Sequence, residues 1–407
     1  MSDIIIYILK SEGEILMKKF FSAVLALMLA ITMLIPAGAA TNNTNKLQFH
    51  DDGSFRILQI ADIQDGPLLL EITRQFIDDA VSYTKPDLVV LSGDNISAGA
   101  CTVGIKKADL QLVESAIDRF MSILEEYNVP VAVVFGNHDA EDLITKEEQV
   151  EIYQKYSNCL VVDEGAEIYG CGTYNIPIYS SKDADKIAYN IWMIDSNMYD
   201  EVNGGYDYVH QDQIDWYVNT SNELKAQNGG VPVPSMMFQH IVVPEIFDAL
   251  LEVTEDTEGA VERNGKYYVL NPENTRAGAL GEGPCPSNTN SGQFAAVKEQ
   301  GDVVAMFFGH DHTNTYEVNY NGIDLVNTPG VGFNSYGDDN RGVRIIDIKE
   351  GTTEYETEVL TYKEYYGDSE IAQARFVLYG NEFGFIYRVE AFFKYILLAF
   401  SEALSII

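Results

Sequence analysis

The chain has 407 residues, 46% hydrophobic and 11% aromatic, enough for one large or two ordinary globular domains. Its 62 acidic residues against 26 basic ones give a formal charge of −36, so neither a nucleic-acid backbone nor an anionic membrane is expected as the main partner. The four dispersed cysteines, Cys101, Cys159, Cys171 and Cys285, form no C-x-x-C pair and hence no zinc knuckle.

Residues 1–40 read as a targeting segment. Met17-Lys18-Lys19 is a short positive start, 20–35 is nearly all apolar, and Pro36-Ala37-Gly38-Ala39 offers a small-residue cleavage site. A signal peptide from Met17 to Ala39 is expected, with an extracellular or cell-surface destination. The apolar run is shorter than the roughly 18 to 20 residues that span a bilayer comfortably. Export would permit disulfides, with Cys159 and Cys171 a plausible local pair and free thiols the alternative.

After a polar linker at 41–45, residues 55–61 read as a strand that breaks into Asp62-Ile63-Gln64. Helical spacing over 68–83 ends before Pro86, and the apolar run at 87–92 is a second buried strand, breaking into Gly93-Asp94-Asn95. A long helix over 108–127, with Leu112, Ala116, Phe120, Ile123 and Leu124 on one side, leads to a strand at 131–135 that stops in Gly136-Asn137-His138-Asp139. Strand and helix alternating in this way predict an α/β fold with a parallel sheet, whose ligand sites lie outside the carboxyl ends of the strands.

Residues 189–194 form another expected strand, ending at Asp195-Ser196-Asn197, and a helix carrying Ile214, Trp216, Tyr217 and Leu224 follows. The runs at 234–239 and 302–308 then end in His240 and in Gly309-His310-Asp311-His312. Residues 316–327 read as a hairpin turning on Asn321-Gly322, and 343–348 and 356–362 as two antiparallel strands. The stretch 252–291, rich in Gly, Asn, Pro and Glu, reads as a long functional or mobile connection carrying Arg263 and Arg276. Asp195 and Ser335-Tyr336-Gly337 read as loop structure near strand ends. The 371–407 tail closes on an apolar segment relieved by Glu390, Lys394, Ser401, Glu402 and Ser405. A helix there shows one narrow polar stripe, which suits contact with a membrane surface or with the rest of the domain.

Collected, five strand ends present Asp62 with Gln64, Asp94, Asn137 with His138, His240, and His310 with His312. Of the 6 histidines only His50 and His210 fall elsewhere, and both read as ordinary exposed side chains. Mixed carboxylate, amide and imidazole donors suit manganese, iron or zinc rather than copper. About seven such donors are what two divalent ions roughly 3.5 to 4 Å apart require.

In order and spacing, Asp62-x-Gln64, Gly93-Asp94-Asn95, Gly136-Asn137-His138-Asp139, His240 and Gly309-His310-x-His312 resemble the calcineurin-like metallophosphoesterase superfamily. The stretch from Ser291-Gly292 through Gly332-Phe333 to Tyr336-Gly337 is most similar to its purple acid phosphatase-related branch. The resemblance implies a four-layer αββα sandwich of two mixed sheets flanked by helices, placed here at residues 46–363, and a small phosphoester as substrate. One metal would be held by Asp62, Gln64, Asp94 and His312, the other by Asp94, Asn137, His240 and His310. A hydroxide bridging them would attack phosphorus in line, His138 would protonate the leaving oxygen, and Asp139 would orient His138. Phosphomonoesters are expected ahead of diesters, with a phosphodiesterase, a nucleotidase or a metal-binding protein without turnover as alternatives.

Two positions depart from the family pattern. Gln64 stands where a histidine is usual, which should weaken the first metal site and shift it toward manganese or magnesium. Ser97 stands where coloured purple acid phosphatases carry an iron-binding tyrosine, so no tyrosinate colour is expected.

Overall fold

Short apolar runs bounded by Gly, Pro and Asp become strands throughout the chain. The computed structural model describes residues 46–163 and 167–405, and the expected targeting segment at 1–40 lies outside the described residues. Strands β1 (Leu47–Gln48) and β2 (Ser54–Ile60) come first. Helix α1 (Glu71–Thr84) ends at Lys85, whose φ of 49° turns the chain out just before Pro86. β3 (Leu88–Ser92), α2 (Lys106–Glu126) and β4 (Val131–Val134) complete the predicted alternation. Next come α3 (Lys146–Tyr153), opened by a reciprocal Thr145 and Glu148 capping box, then β5 (Tyr174–Tyr179), β6 (Ile187–Met193), α4 (Gln211–Gln227) and β7 (Ser235–Phe238). The sequence pattern announces neither α3, which is short, nor β5, which carries Pro177 inside it.

The stretch 252–291 is not the long connection its composition suggests. After α5 (Ile246–Ala249), strands β8 (Leu251–Val253), β9 (Val261–Arg263) and β10 (Lys266–Val269) form a small antiparallel sheet, and β11 (Thr275–Ala277) joins the edge of the largest one. Such short strands with polar side chains give little periodic signal. The chain continues through α6 (Gln293–Gln300), β12 (Val303–Phe308), β13 (Glu317–Tyr320) and β14 (Ile323–Asn327). Asn321 and Gly322 join the last two at φ of 53° and 90°, as the expected type I′ turn requires. β15 (Gly342–Lys349), β16 (Tyr355–Thr361), α7 (Tyr362–Tyr366), α8 (Glu370–Tyr379) and α9 (Phe385–Ser405) follow.

Two mixed sheets dominate. The five-stranded sheet has the order β16-β15-β2-β3-β4, with β2, β3 and β4 parallel. The eight-stranded sheet has the order β1-β5-β6-β7-β12-β14-β13-β11, with β6, β7, β12 and β14 parallel. Side chains alternate across the larger sheet. Ile191, Met236 and Phe307 enter one apolar cluster shared with the five-stranded sheet and with Phe76 of α1 and Phe120 of α2. Their neighbours Trp192, Met237 and Met306 enter a second cluster with Ile214 and Tyr217 of α4 and Phe294 and Val297 of α6. The layers are therefore helix, sheet, sheet, helix, the αββα sandwich implied by the resemblance.

A buried polar seam interrupts the apolar interior between the sheets. Gln59 Nε2 donates to Ser92 Oγ at 2.9 Å and to the Phe308 carbonyl at 3.1 Å, and Thr328 Oγ1 donates to Gln59 Oε1 at 2.7 Å. Arg344 donates to Thr328 Oγ1 at 3.1 Å, to Glu317 Oε1 at 2.7 Å and to the carbonyls of Thr315 and Asn327 at 3.0 and 2.8 Å. All but the Gln59–Ser92 bond cross from the five-stranded sheet to the eight-stranded one or to residues flanking its strands. Such a network fixes how the two sheets register.

The tail enters this interior, because Phe376 of α8 is buried against Phe333 and Tyr362. α9 lies on α8 and leaves Phe385, Ile386, Phe393, Leu397 and Phe400 exposed. Among the described residues no helix is long and apolar enough to cross a membrane. All four cysteines are free, so the local Cys159–Cys171 pair does not form. Cys159 is held beside β4 by its bridge to Val131, and the Cys171 N–H is taken up by Asp195 Oδ2 at 2.9 Å. His50 is exposed and meets Asp87 at 2.7 Å. His210, read as exposed, is instead half-buried, its ring stacked on Tyr169 and Tyr208 at 3.7 and 4.4 Å between centroids as the chain enters α4.

Candidate metal centre

Each predicted block sits where a parallel strand ends. Asp62 and Gln64 follow β2, Asp94 follows β3, Asn137 and His138 follow β4, His240 follows β7, and His310 and His312 follow β12. Tight exits are needed to turn these side chains over the strand tips. Asp62, Gln64, Asp94 and His310 accordingly hold φ of 54°, 43°, 48° and 72°, a left-handed conformation that costs a non-glycine residue about 1 to 3 kcal/mol and concentrates at functional sites. Backbone bonds from Asp62 N to Gly93 O at 3.1 Å and from Gln64 N to Asp94 O at 2.9 Å pin the first two turns together. Two glycines allow the close approach. A Cβ on Gly136 would collide with the Asp94 carboxylate, and one on Gly309 would stand 2.7 Å from Asp62 Oδ2.

The side chains converge. His240 Nε2 lies 3.1 Å from Asp94 Oδ2 and 3.9 Å from Asp62 Oδ1, and His312 Nε2 lies 3.3 Å from Asp62 Oδ1. His310 Nδ1 is 3.3 Å from His240 Nε2, Gln64 Nε2 is 3.4 Å from Asp94 Oδ2, and the His138 N–H donates to Asp94 Oδ1 at 2.7 Å. Ligand-type atoms of Asp94, His240 and His310 all fall within 4.8 Å of one another. His240, His310 and His312 are buried, whereas the His138 side chain is 37% exposed, the one imidazole of the four open to a substrate.

The electrostatics are those of a cation site. Burial would raise the Asp94 carboxyl, but the His240 imidazole beside it holds it well below the usual range. Burial and the neighbouring His240 push His310 well below the ordinary histidine value, leaving a neutral ring with a free lone pair. Outer contacts fix the rings: His240 Nδ1 meets the Ser92 carbonyl at 3.0 Å and His312 Nδ1 the Tyr336 carbonyl at 2.8 Å. The decisive test of fit is an unmet need. Among the described residues the buried oxygens Gln64 Oε1 and Asn137 Oδ1 have no hydrogen-bond partner. A buried acceptor left unpaired costs about 1 to 3 kcal/mol, and a cation would satisfy both.

Asp139 does not take the position expected of it. Its carboxylate turns inward to the N–H groups of Gly136 at 2.7 Å and Ile96 at 3.0 Å, and so braces the loops. The carboxylate at His138 Nδ1 is Glu141, 2.7 Å away. Sequence reasoning also misses Tyr199, which bonds to Glu141 and Asn137, and Tyr206, whose ring meets His310 edge-on at 4.3 Å. Tyr336, read as plain loop, stacks on His312 at 4.1 Å and donates to Glu282. Asp195 is a structural group, buried and paired with Lys146 at 2.9 Å. A broad surface hollow lies elsewhere, and its arginines are already engaged, Arg56 with Asp347 and Arg276 with Asp324.

With this geometry in hand, the model of the calcineurin-like phosphoesterase family matches residues 55–314, well over half of the chain. The chain belongs to the calcineurin-like phosphoesterase family. Among curated relatives of this phosphoesterase, probable inactive purple acid phosphatase 14 of Arabidopsis thaliana is 28% identical over 345 residues, covering 76% of this chain and 79% of that protein. Probable inactive purple acid phosphatase 29 of the same plant is 27% identical over 348 residues, covering 78% and 81%. Phosphatase DCR2 of Saccharomyces cerevisiae is 27% identical, over 67% of the phosphoesterase chain and 46% of its own. A solved dimetal phosphatase from Danio rerio aligns with a TM-score of 0.44 at 13% identity, over 75% of this chain and 98% of that one.

Proposed function

We propose that this phosphoesterase is a metal-dependent hydrolase of small phosphoesters, monoesters ahead of diesters, that works outside the cell or at its surface. One observation carries the reading: two carboxylates and three buried imidazoles close around strand tips where two buried amide oxygens lack partners. Asp62, Gln64, Asp94 and His312 would hold one divalent ion, and Asp94, Asn137, His240 and His310 the other. Manganese, iron or zinc bound there would neutralise phosphoryl oxygens and lower the pKa of water.

The chain's own residues supply the rest. The backbone N–H of His138 donates to Asp94 and so holds the chain against the carboxylate both ions would share, and the exposure of the imidazole would let Nε2 reach the departing ester oxygen to give it a proton. Tyr206 and Tyr336 pack their rings against His310 and His312 and so restrict how those two imidazoles can turn.

A second reading has its own support. Gln64 offers a weaker donor than an imidazole, and two relatives carry names that call them probable inactive phosphatases. On that reading the chain binds metal without turnover. Metal analysis of the purified full-length chain, with assays on a generic phosphomonoester and a generic diester before and after chelation, separates the two. Hydrolysis that chelation abolishes and manganese or zinc restores is the expected outcome; two bound ions with no hydrolysis of either ester would favour the binding protein.

A further inference from the structure

Two side chains outside the predicted blocks tie together the neighbours Asn137 and His138. His138 Nδ1 lies 2.7 Å from Glu141 Oε2, Tyr199 OH donates to Glu141 Oε1 at 2.5 Å, and Asn137 Nδ2 donates to that same hydroxyl oxygen at 3.1 Å. Chemistry fixes the direction of every bond. An ionised carboxylate only accepts, so Glu141 takes the Tyr199 proton on one oxygen and the His138 Nδ1 proton on the other. With its single proton given away, the Tyr199 oxygen can only accept, and what it accepts is an amide N–H. The amide orientation of Asn137 is thereby decided, with Nδ2 toward the tyrosine and the buried, unpartnered Oδ1 left as the ligating end.

We infer that Glu141 and Tyr199 are positioning residues that set two groups at once: the tautomer of His138 and the amide face of Asn137. The first part rests on the hydrolase reading, while the second needs only cation binding. With Nδ1 protonated and engaged, Nε2 is the atom that faces the ester. In the proton transfer the Nε2–H bond breaks, its electron pair stays on the imidazole, and the new O–H bond forms on the departing oxygen. Glu141 remains an anion throughout, stabilising the doubly protonated ring before the transfer and holding its Nδ1–H afterward. Isolated surface pairs of this kind contribute little. This one differs because the carboxylate and the imidazole, 31% and 37% exposed, are also anchored through Tyr199 to Asn137.

The test uses the full-length, zinc-loaded chain and the variants Glu141→Gln, Glu141→Asp and Tyr199→Phe. Two esters are compared: 4-nitrophenyl phosphate, whose leaving group departs without a proton, and glycerol phosphate, whose alkoxide needs one. Glu141→Gln is expected to lose about 10- to 100-fold in kcat on the alkyl ester, the usual range for a partner behind a catalytic site, with a much smaller loss on the nitrophenyl ester and KM unchanged. Glu141→Asp should recover part of that loss, and Tyr199→Phe should bind less zinc per chain because the Asn137 amide is free to turn. Nitrogen-15 NMR should show His138 protonated at Nδ1 in the parent chain and as a tautomer mixture in Glu141→Gln. Equal losses on both esters, an unchanged tautomer in Glu141→Gln, or full zinc content in Tyr199→Phe would overturn the inference. If the parent chain hydrolyses neither ester, the hydrolase reading falls while the tautomer and zinc measurements still decide the positioning roles.

Discussion

The two sheets bring different chemistry to one place. The five-stranded sheet delivers Asp62, Gln64, Asp94 and Asn137, all oxygen donors, and the eight-stranded sheet delivers His240, His310 and His312, all nitrogen donors. They are also held differently. Three of the four oxygen donors sit on left-handed backbone, whereas His240 and His312 are oriented through ring bonds to carbonyls. Neither half is self-sufficient, because the carbonyl that aims His240 belongs to Ser92 on the smaller sheet and the His310 N–H leans on Asp62 at 3.1 Å. A carboxylate half and an imidazole half, each oriented by the other, make a site that exists only when the sandwich is closed.

Breaking the junction should have the largest effect. Asp94→Ala removes the carboxylate that meets His240, Gln64 and the His138 N–H, and leaves the buried His240 without its nearer carboxylate, with only Asp62 at 3.9 Å remaining. The expected cost is about 3 to 5 kcal/mol of stability, read by denaturant unfolding, together with loss of zinc binding and of hydrolysis. Unchanged stability and zinc content would mean that the two halves are independent. His138→Ala should lower turnover by about 10²- to 10⁴-fold while zinc content stays constant, since this residue lies on the oxygen-donor sheet without being a ligand. Away from the ligands, Arg344→Met strips the seam of its donors to Glu317, Thr315 and Asn327 and should cost about 3 kcal/mol, the low end for breaking a buried pair because Glu317 keeps some access to water. The smallest effect sharpens the contrast instead of breaking it. Gln64→His adds a nitrogen donor to the oxygen half and should tighten zinc by about 10-fold, roughly 1.4 kcal/mol, by titration against a chelator.

What could be read in the sequence is what local physics writes there. The five blocks stand out because buried strands are apolar runs and their exits demand Gly, Asp, Asn or His, and Asn321-Gly322 declares a type I′ hairpin by itself. Asn264-Gly265 joins β9 to β10 with φ of 51° and 76°, the same device, and reading 252–291 by composition alone passes over it. Glu141 and Tyr199 are a different matter. They meet across 58 positions of sequence, and neither stands at a strand exit or in a periodic pattern, so only the folded chain reveals them. Asp139 shows the converse risk: adjacency to His138 suggested a partner, but consecutive residues in a tight turn point apart, and the useful carboxylate is the one three positions on.

The seam of Gln59, Ser92, Thr328 and Arg344 runs directly beneath the site, since Gln59, Ser92 and Phe308 each lie within three positions of Asp62, Asp94 and His310. Interlocked directional bonds resist sliding in a way that greasy contacts alone do not. Stripping ions from the strand tips should therefore leave the tips spaced as before, and a depleted chain ought to recharge on mixing, with no refolding phase.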